Sequence, residues 1–123
     1  MSLEFAVRGS WFLLAALHAP PALALVRPAV LERLYGANPS GTTGVLLSHR
    51  GALFAALVLV SLFAAFDPAV RRLATLALAV SMVGFLLVAL RAGALTGPLR
   101  SIAIADAVGL APLALVSWSA FRS

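Results

Sequence analysis

Four side chains of this 123-residue chain could do chemistry: His18, His49, Arg50 and Asp106. A histidine moves protons near neutral pH, an arginine receives anions with a planar fork of donors, and an aspartate accepts hydrogen bonds or neutralises a cation. All four lie inside strongly apolar stretches. There an ionisable group costs roughly 2.5 to 3.5 kcal/mol on insertion scales, so each is expected to face the protein interior and meet a partner. One arrangement is an Arg50 to Asp106 ion pair that fixes how two helices register, with the histidines hydrogen-bonded in support. Another is a polar pocket open to one face, where Arg50, helped by Arg91 or Arg100, receives an anionic or quinone-like head group and a histidine moves a proton. A third is a metal site built from His18, His49 and Asp106. The ligand types and number suit a metal, but the histidines fall on different helices without ligand spacing, so the expectation is no metal. No cofactor motif is present, and no cofactor is expected.

The elements that must position these groups are read from the apolar runs. Residues 45–66, 69–90 and 99–121 each reach the ~20 residues that a bilayer-crossing helix needs. Residues 10–26 form a shorter run, interrupted by His18 and Pro20-Pro21. It reads as a retained first span kinked at the prolines, or as a signal peptide with Arg8 as its charged region and Ala22-Leu23-Ala24 as its cleavage site. The retained span is preferred, because it completes a helical bundle. The expected fold is then an all-α membrane protein, one integral domain over residues 1–123. Its architecture would be a four-transmembrane-helix antiparallel bundle with a short interfacial helix between spans 1 and 2. That short helix follows Pro28 and sets Val30, Leu31, Leu34 and Tyr35 opposite Glu32 and Arg33. Residues 36–44 read as a loop that superficially resembles a phosphate-binding one, but Thr42 stands where lysine is needed and no strand precedes it. Asp67-Pro68 is expected to be a tight turn, with Asp67 capping the third span and Pro68 in its first turn. Residues 91–97 form a second short connection before Pro98.

Composition agrees with a lipid setting. The chain is 63% hydrophobic and 11% charged with a mean hydropathy of +1.07, against about 25% charged residues in soluble domains. All nine basic residues are Arg, which with the Ala and Leu excess points to a GC-rich bacterial genome and hence the bacterial inner membrane. A net charge of +5 and an isoelectric point near 11.7 would hint at nucleic acid in a soluble protein. Here the arginines sit mostly at span ends, where lipid phosphates account for them, and no nucleic-acid partner is expected. The absence of Cys excludes disulfides, thiolate metal sites and thiol catalysis.

Arg8, Arg71, Arg72 and Arg122 fall on the side of the termini, and Arg27, Arg33, Arg91 and Arg100 on the other. The Arg71-Arg72 pair in the shortest loop favours cytoplasmic termini. Trp11 and Trp118 would then form one aromatic belt and Tyr35 the other.

At 1.5 Å per residue, His18, His49, Arg50 and Asp106 all fall within ~6 to 12 Å of the same membrane face. Small-residue stripes, which mark close helix contacts in membranes, accompany them: Ala15 and Ala22 with His18, Ala52 and Ala56 with His49, Ala103 and Gly109 with Asp106. The matching stripe on the third span is Ala77, Ser81 and Gly84, which turns Ser81 inward and leaves Met82 toward lipid. Pro112 removes a backbone hydrogen bond beyond Asp106 and can bend the last span.

This layout, with Ser48-His49-Arg50-Gly51-Ala52 opening the second span, resembles the DoxX-like group of small bacterial four-helix membrane proteins. Some members are subunits of membrane oxidoreductases that deliver electrons to quinone. The resemblance implies a four-helix fold and a membrane partner, and draws attention to His49 and Arg50. The expected function is therefore an accessory or anchor subunit of a membrane complex beside a quinone or lipid site. The alternative is a stand-alone membrane enzyme, or a binder of a small lipid-soluble or anionic ligand, that uses the His/Arg/Asp pocket. A protein partner and a homo-oligomer both remain open.

Overall fold

Helix α1 (Leu3–Ala22) begins where Ser2 can cap it: the hydroxyl accepts the Phe5 N–H at 3.2 Å, and Glu4 lies in the first turn. It starts well before residue 10, runs through Pro20 and Pro21, and passes into a 3-10 turn at Leu23–Leu25. The computed structural model describes residues 2–36, 38–93 and 96–122. Helix α2 (Val30–Tyr35) buries Leu31 and exposes Glu32 and Arg33, as its amphipathic pattern requires, and ends at Gly36 in the left-handed region (φ 62).

Helix α3 (Gly41–Phe66) starts earlier than the run of apolar residues implies, so the preceding loop is shorter than 36–44. The Asn38 side-chain oxygen accepts both the N–H and the hydroxyl of Ser40, at 3.0 and 2.8 Å, and this turn sets Ser40 extended just before the helix. Ala37, within that expected loop, lies outside the described residues.

Asp67 does cap the next segment: its Oδ1 accepts the Ala69 N–H at 2.9 Å, with Pro68 opening a 3-10 turn (Pro68–Val70) that leads into α4 (Arg71–Arg91). In the connection that follows, residues 94–95 lie outside the described residues. A turn at Gly97–Leu99 then leads into α5 (Arg100–Phe121), which continues through Pro112.

Three segments, Gly41–Phe66, Pro68–Arg91 and Gly97–Phe121, are long and apolar enough to cross a membrane. They turn large apolar side chains outward, among them Leu73, Val80 and Val108. Such a surface is stable against hydrocarbon and costly against water. The molecule is thus an all-α protein of membrane character.

Helix α1 packs chiefly on α3 and α5, α4 packs on α5, and α3 and α4 touch only sparsely although one tight turn joins them. Contacts run in opposite order along α1 and α3. Phe12 meets the Phe66 ring edge-on at 5.5 Å, His18 lies 5.7 Å from the Phe54 ring, and Gly51 lies against the Pro21 to Leu25 backbone. The core gathers Val7, Trp11 and Leu14 of α1, Ala64 and Ala65 of α3, Ala74, Leu78 and Met82 of α4, and Leu113 and Val116 of α5.

Two expectations are corrected here. Met82 is buried, not lipid-facing: Gly109 leaves the space its methyl group fills, since a Cβ on Gly109 would stand 2.6 Å from the Met82 Cε. Trp11 is fully buried in the core and belongs to no interfacial belt, whereas Trp118 is exposed with the Arg122 guanidinium 4.6 Å above its ring.

One end of the molecule is clasped by Arg71, which is 6% exposed. Its Nε donates to the Ala64 carbonyl at 2.6 Å and one terminal nitrogen donates to the Ala65 carbonyl at 3.2 Å. Both terminal nitrogens reach the Glu4 carboxylate, at 2.8 and 3.0 Å. The Arg71 hydrogen bonds, aided by the charges of Arg71 and Arg8, hold the Glu4 carboxyl below its ordinary value of 4.5 despite the opposing effect of burial. A depressed folded-state pKa stabilises above the unfolded value and is lost as pH falls through the folded one. Unfolding in detergent followed by circular dichroism should therefore show stability falling below pH about 4.5, with that slope reduced in Glu4→Gln. Arg71→Ala, which also orphans two carbonyls, should lose about 2 to 3 kcal/mol at neutral pH.

A second expected outcome concerns Gly51, where an added Cβ would stand 2.8 Å from the Leu25 amide nitrogen and 3.2 Å from the Pro21 carbonyl oxygen. Backbone cannot yield as a side-chain tip does. Gly51→Ala should destabilise by about 1 to 3 kcal/mol in the same measurement, despite the higher helix propensity of Ala.

Candidate functional site

The sparse contact between α3 and α4 leaves a cavity of about 530 Å3 between them. Leu53, Phe54 and Leu57 of α3 face Val80, Ser81, Gly84, Phe85 and Val88 of α4, and Tyr35 and Leu99 stand at the end away from the Asp67 turn. Leu53, Val80 and Val88 are exposed on its rim, so it opens sideways to whatever surrounds the helices.

Arg50 is the charged group in this apolar lining. Its guanidinium carbon lies 5.0 Å from the Phe54 ring centre, 5.2 Å from Phe85 and 5.9 Å from Tyr35. Three ring faces at these distances offset part of the cost of taking the cation out of water, but they accept none of its N–H groups in a proper hydrogen bond. The Nε is buried without a partner, and so is the Tyr35 hydroxyl. The cavity therefore presents donors with nothing to donate to.

The other expected site residues are dispersed. Asp106 is half-buried on α5 and feels the charge of Arg50, but the two form no direct ion pair: the ion pairs among the described residues are Glu4 with Arg8 and Glu4 with Arg71. The expected Arg50 to Asp106 register lock is thus absent. His18 is 2% exposed between α1 and α3. Its Nδ1 lies 2.8 Å from the Leu14 carbonyl oxygen, which can only accept, so Nδ1 carries the proton and the buried, unpartnered Nε2 holds a lone pair.

His49 points outward and is exposed, because successive helical residues are turned by about 100° and α3 is phased by the close approach at Gly51. The three candidate metal ligands accordingly do not gather, and no cluster of three such side chains occurs among the described residues. Arg91 and Arg100 are exposed at the ends of α4 and α5 and do not line the cavity, although their neighbours Ala92 and Leu99 do. Ser81 does line the cavity.

The sequence reading also misplaced the inner face of α4. Its buried side is Arg71, Ala74, Thr75, Leu78, Met82 and Ala89, while the small-residue stripe Ala77, Ser81, Gly84 turns toward the cavity side. Tyr35, Phe54 and Phe85 were missed as site residues. The available signal was Phe54, one helical turn after Arg50, where an aromatic ring can cover the guanidinium.

No protein-family model, curated protein or solved structure matches this chain, so the DoxX-like resemblance gains no support. Because no Arg50 to Asp106 pair exists to be broken, Asp106→Asn should change stability by less than about 1 kcal/mol, where cutting a direct buried pair costs 3–5 kcal/mol. Chemical unfolding of the two proteins in one detergent measures the difference.

Proposed function

We propose that this chain is a small multi-pass membrane protein that binds a lipid-soluble ligand through an electron-rich head group, in the cavity between α3 and α4. The observation that carries the reading is Arg50: a guanidinium set among three aromatic rings, its Nε buried and unpartnered, in a cavity lined mostly by apolar side chains. A binding site for an amphiphile needs an apolar wall and a few convergent polar groups, and Arg50, the Tyr35 hydroxyl and Ser81 supply the second requirement. The sideways opening lets such a ligand arrive from hydrocarbon without crossing water.

The membrane arrangement belongs to the same proposal. Helix α1, antiparallel to α3, serves as a fourth span, so that four antiparallel spans form one bundle with α2 lying at the interface. The setting is the bacterial inner membrane with cytoplasmic termini, a reading that rests on the all-Arg basic composition and the Arg71-Arg72 pair in the shortest connection. An accessory role beside a partner protein uses the same cavity, with the ligand shared across the contact.

Native mass spectrometry of the protein released gently from its own membrane tests this. The wild type should carry a reproducible small mass in stoichiometric amount, Arg50→Gln should lose it, and His49→Ala, altered on the outer face, should keep it. A stoichiometric protein partner travelling with the chain would make it a subunit. A wild type that is always bare and partnerless would overturn the reading.

A further inference from the structure

The donors around the cavity restrict what the head group is. The Arg50 fork offers two parallel N–H directions along each edge, a geometry that matches the two oxygens of a planar carboxylate. Among the described residues no carboxylate forms an ion pair with it. The Tyr35 hydroxyl, buried and unpartnered on a ring whose centre lies 5.9 Å from the same guanidinium carbon, supplies a further donor at that end of the cavity.

The charge of the site is small. Among the described residues that line the cavity, Arg50 is the one cation and none is a carboxylate. A single negative charge is balanced there, whereas a doubly charged phosphate would be left with excess charge in a low-dielectric surrounding. Away from Arg50 the lining is Leu53, Leu57, Val80 and Val88, with Ser81 as the sole hydroxyl beyond Tyr35. That wall suits an unbranched hydrocarbon tail.

We infer that the ligand is a single-chain monocarboxylate, with its carboxylate on Arg50 and Tyr35 and its hydrocarbon tail along the α3 to α4 cavity past Gly84. This rests on the cavity being the ligand site. The ligand class it names is an ionised long-chain acid drawn from the bilayer, as opposed to a neutral lipid or a phosphate-headed one.

Gly84 makes the inference testable without disturbing the fold. A Cβ there meets nothing within 4 Å, and Gly is the poorer helix former, so Gly84→Leu fills the tail region while favouring the helix. The full chain is reconstituted in phosphatidylcholine nanodiscs and offered palmitate, methyl palmitate, hexadecylamine and hexadecyl phosphate, and retained mass is read by native mass spectrometry. Palmitate should be retained about tenfold or more over the other three. Arg50→Lys, which keeps the charge but not the fork, should lose most of that preference, and Gly84→Leu should exclude all four probes with its thermal unfolding intact. Equal retention of methyl palmitate, or a preference for the amine or the phosphate, would overturn the carboxylate assignment and leave the lipid-soluble ligand reading standing. Undiminished palmitate binding in Gly84→Leu would overturn the assigned cavity, and no retention of any probe would overturn both readings.

Discussion

Arg71 stands where the ends of three helices meet, and its guanidinium answers two separate demands there. The last carbonyls of α3 have no partner within their own helix, and unsatisfied carbonyls in a lipid setting cost several kcal/mol each. Arg71 donates to two of them, Ala64 and Ala65, and puts a positive charge at the negative end of the α3 dipole. The same fork holds Glu4 in the first turn of α1, where a carboxylate faces the positive end of that helix. One side chain thereby fixes the start of α1, the end of α3 and the start of α4. The bulky core residues Trp11, Leu14 and Leu78 all pack toward this clasped end or the middle of the helices. With α3 and α4 tied at the Asp67 turn and α1 inserted against α3, the opposite ends of α3 and α4 are free to separate. The cavity lies at the α3 to α4 seam, toward the end away from that clasp.

Arg50 shows what an arginine looks like when its partners are not supplied from within the chain. Arg71 uses its fork on two carbonyls and a carboxylate. Arg50 has ring faces around it, an acid at a distance that is felt but not touched, and a buried Nε without an acceptor. Arg71 is buried and Arg50 half-buried, and only Arg71 recovers its desolvation cost in hydrogen bonds within the protein. In a structure where the hydroxyls of Ser61 and Ser117 find the carbonyl one turn earlier, unspent donors on a cationic group stand out. That contrast, more than the shape of the cavity, is what supports the proposed ligand site in the α3 to α4 opening.

Much of the helix layout was legible in the sequence because it follows from local rules. Asp67-Pro68 follows the local preference for a capping residue before a first-turn proline, and the alternation around Val30 to Tyr35 gives the amphipathic α2 directly. The start of α3 at Gly41 was less visible, since it depends on the Asn38 to Ser40 turn and not on hydropathy. Of the candidate site, Arg50 and Ser81 were found and brought to one cavity. His18 proved a buried histidine bonded to its own helix, and His49 an outward one, because adjacent residues on α3 cannot both face inward. The inner face of α4 was misphased for a physical reason: in lipid every face is apolar, so the small stripe was taken for a helix contact. Here the contact is filled by Leu78 and Met82, and the small residues border the open space.

Gly109 and Gly51 show how these choices are linked. Gly109 makes room for the Met82 methyl group and brings α4 close to α5, while Gly51 lets the end of α1 lie directly on α3. Close approach in those two seams draws helices toward α1 and α5 and away from the α3 to α4 seam, which has no glycine in contact with the opposing helix: Gly84 faces open space. The same residue type therefore closes two seams and widens a third. A sequence scan for small residues cannot separate these outcomes, because the separation depends on what stands opposite. Opposite Gly84 stands the wall of the cavity that holds Arg50, so the open seam and a buried, unpartnered guanidinium nitrogen share one place.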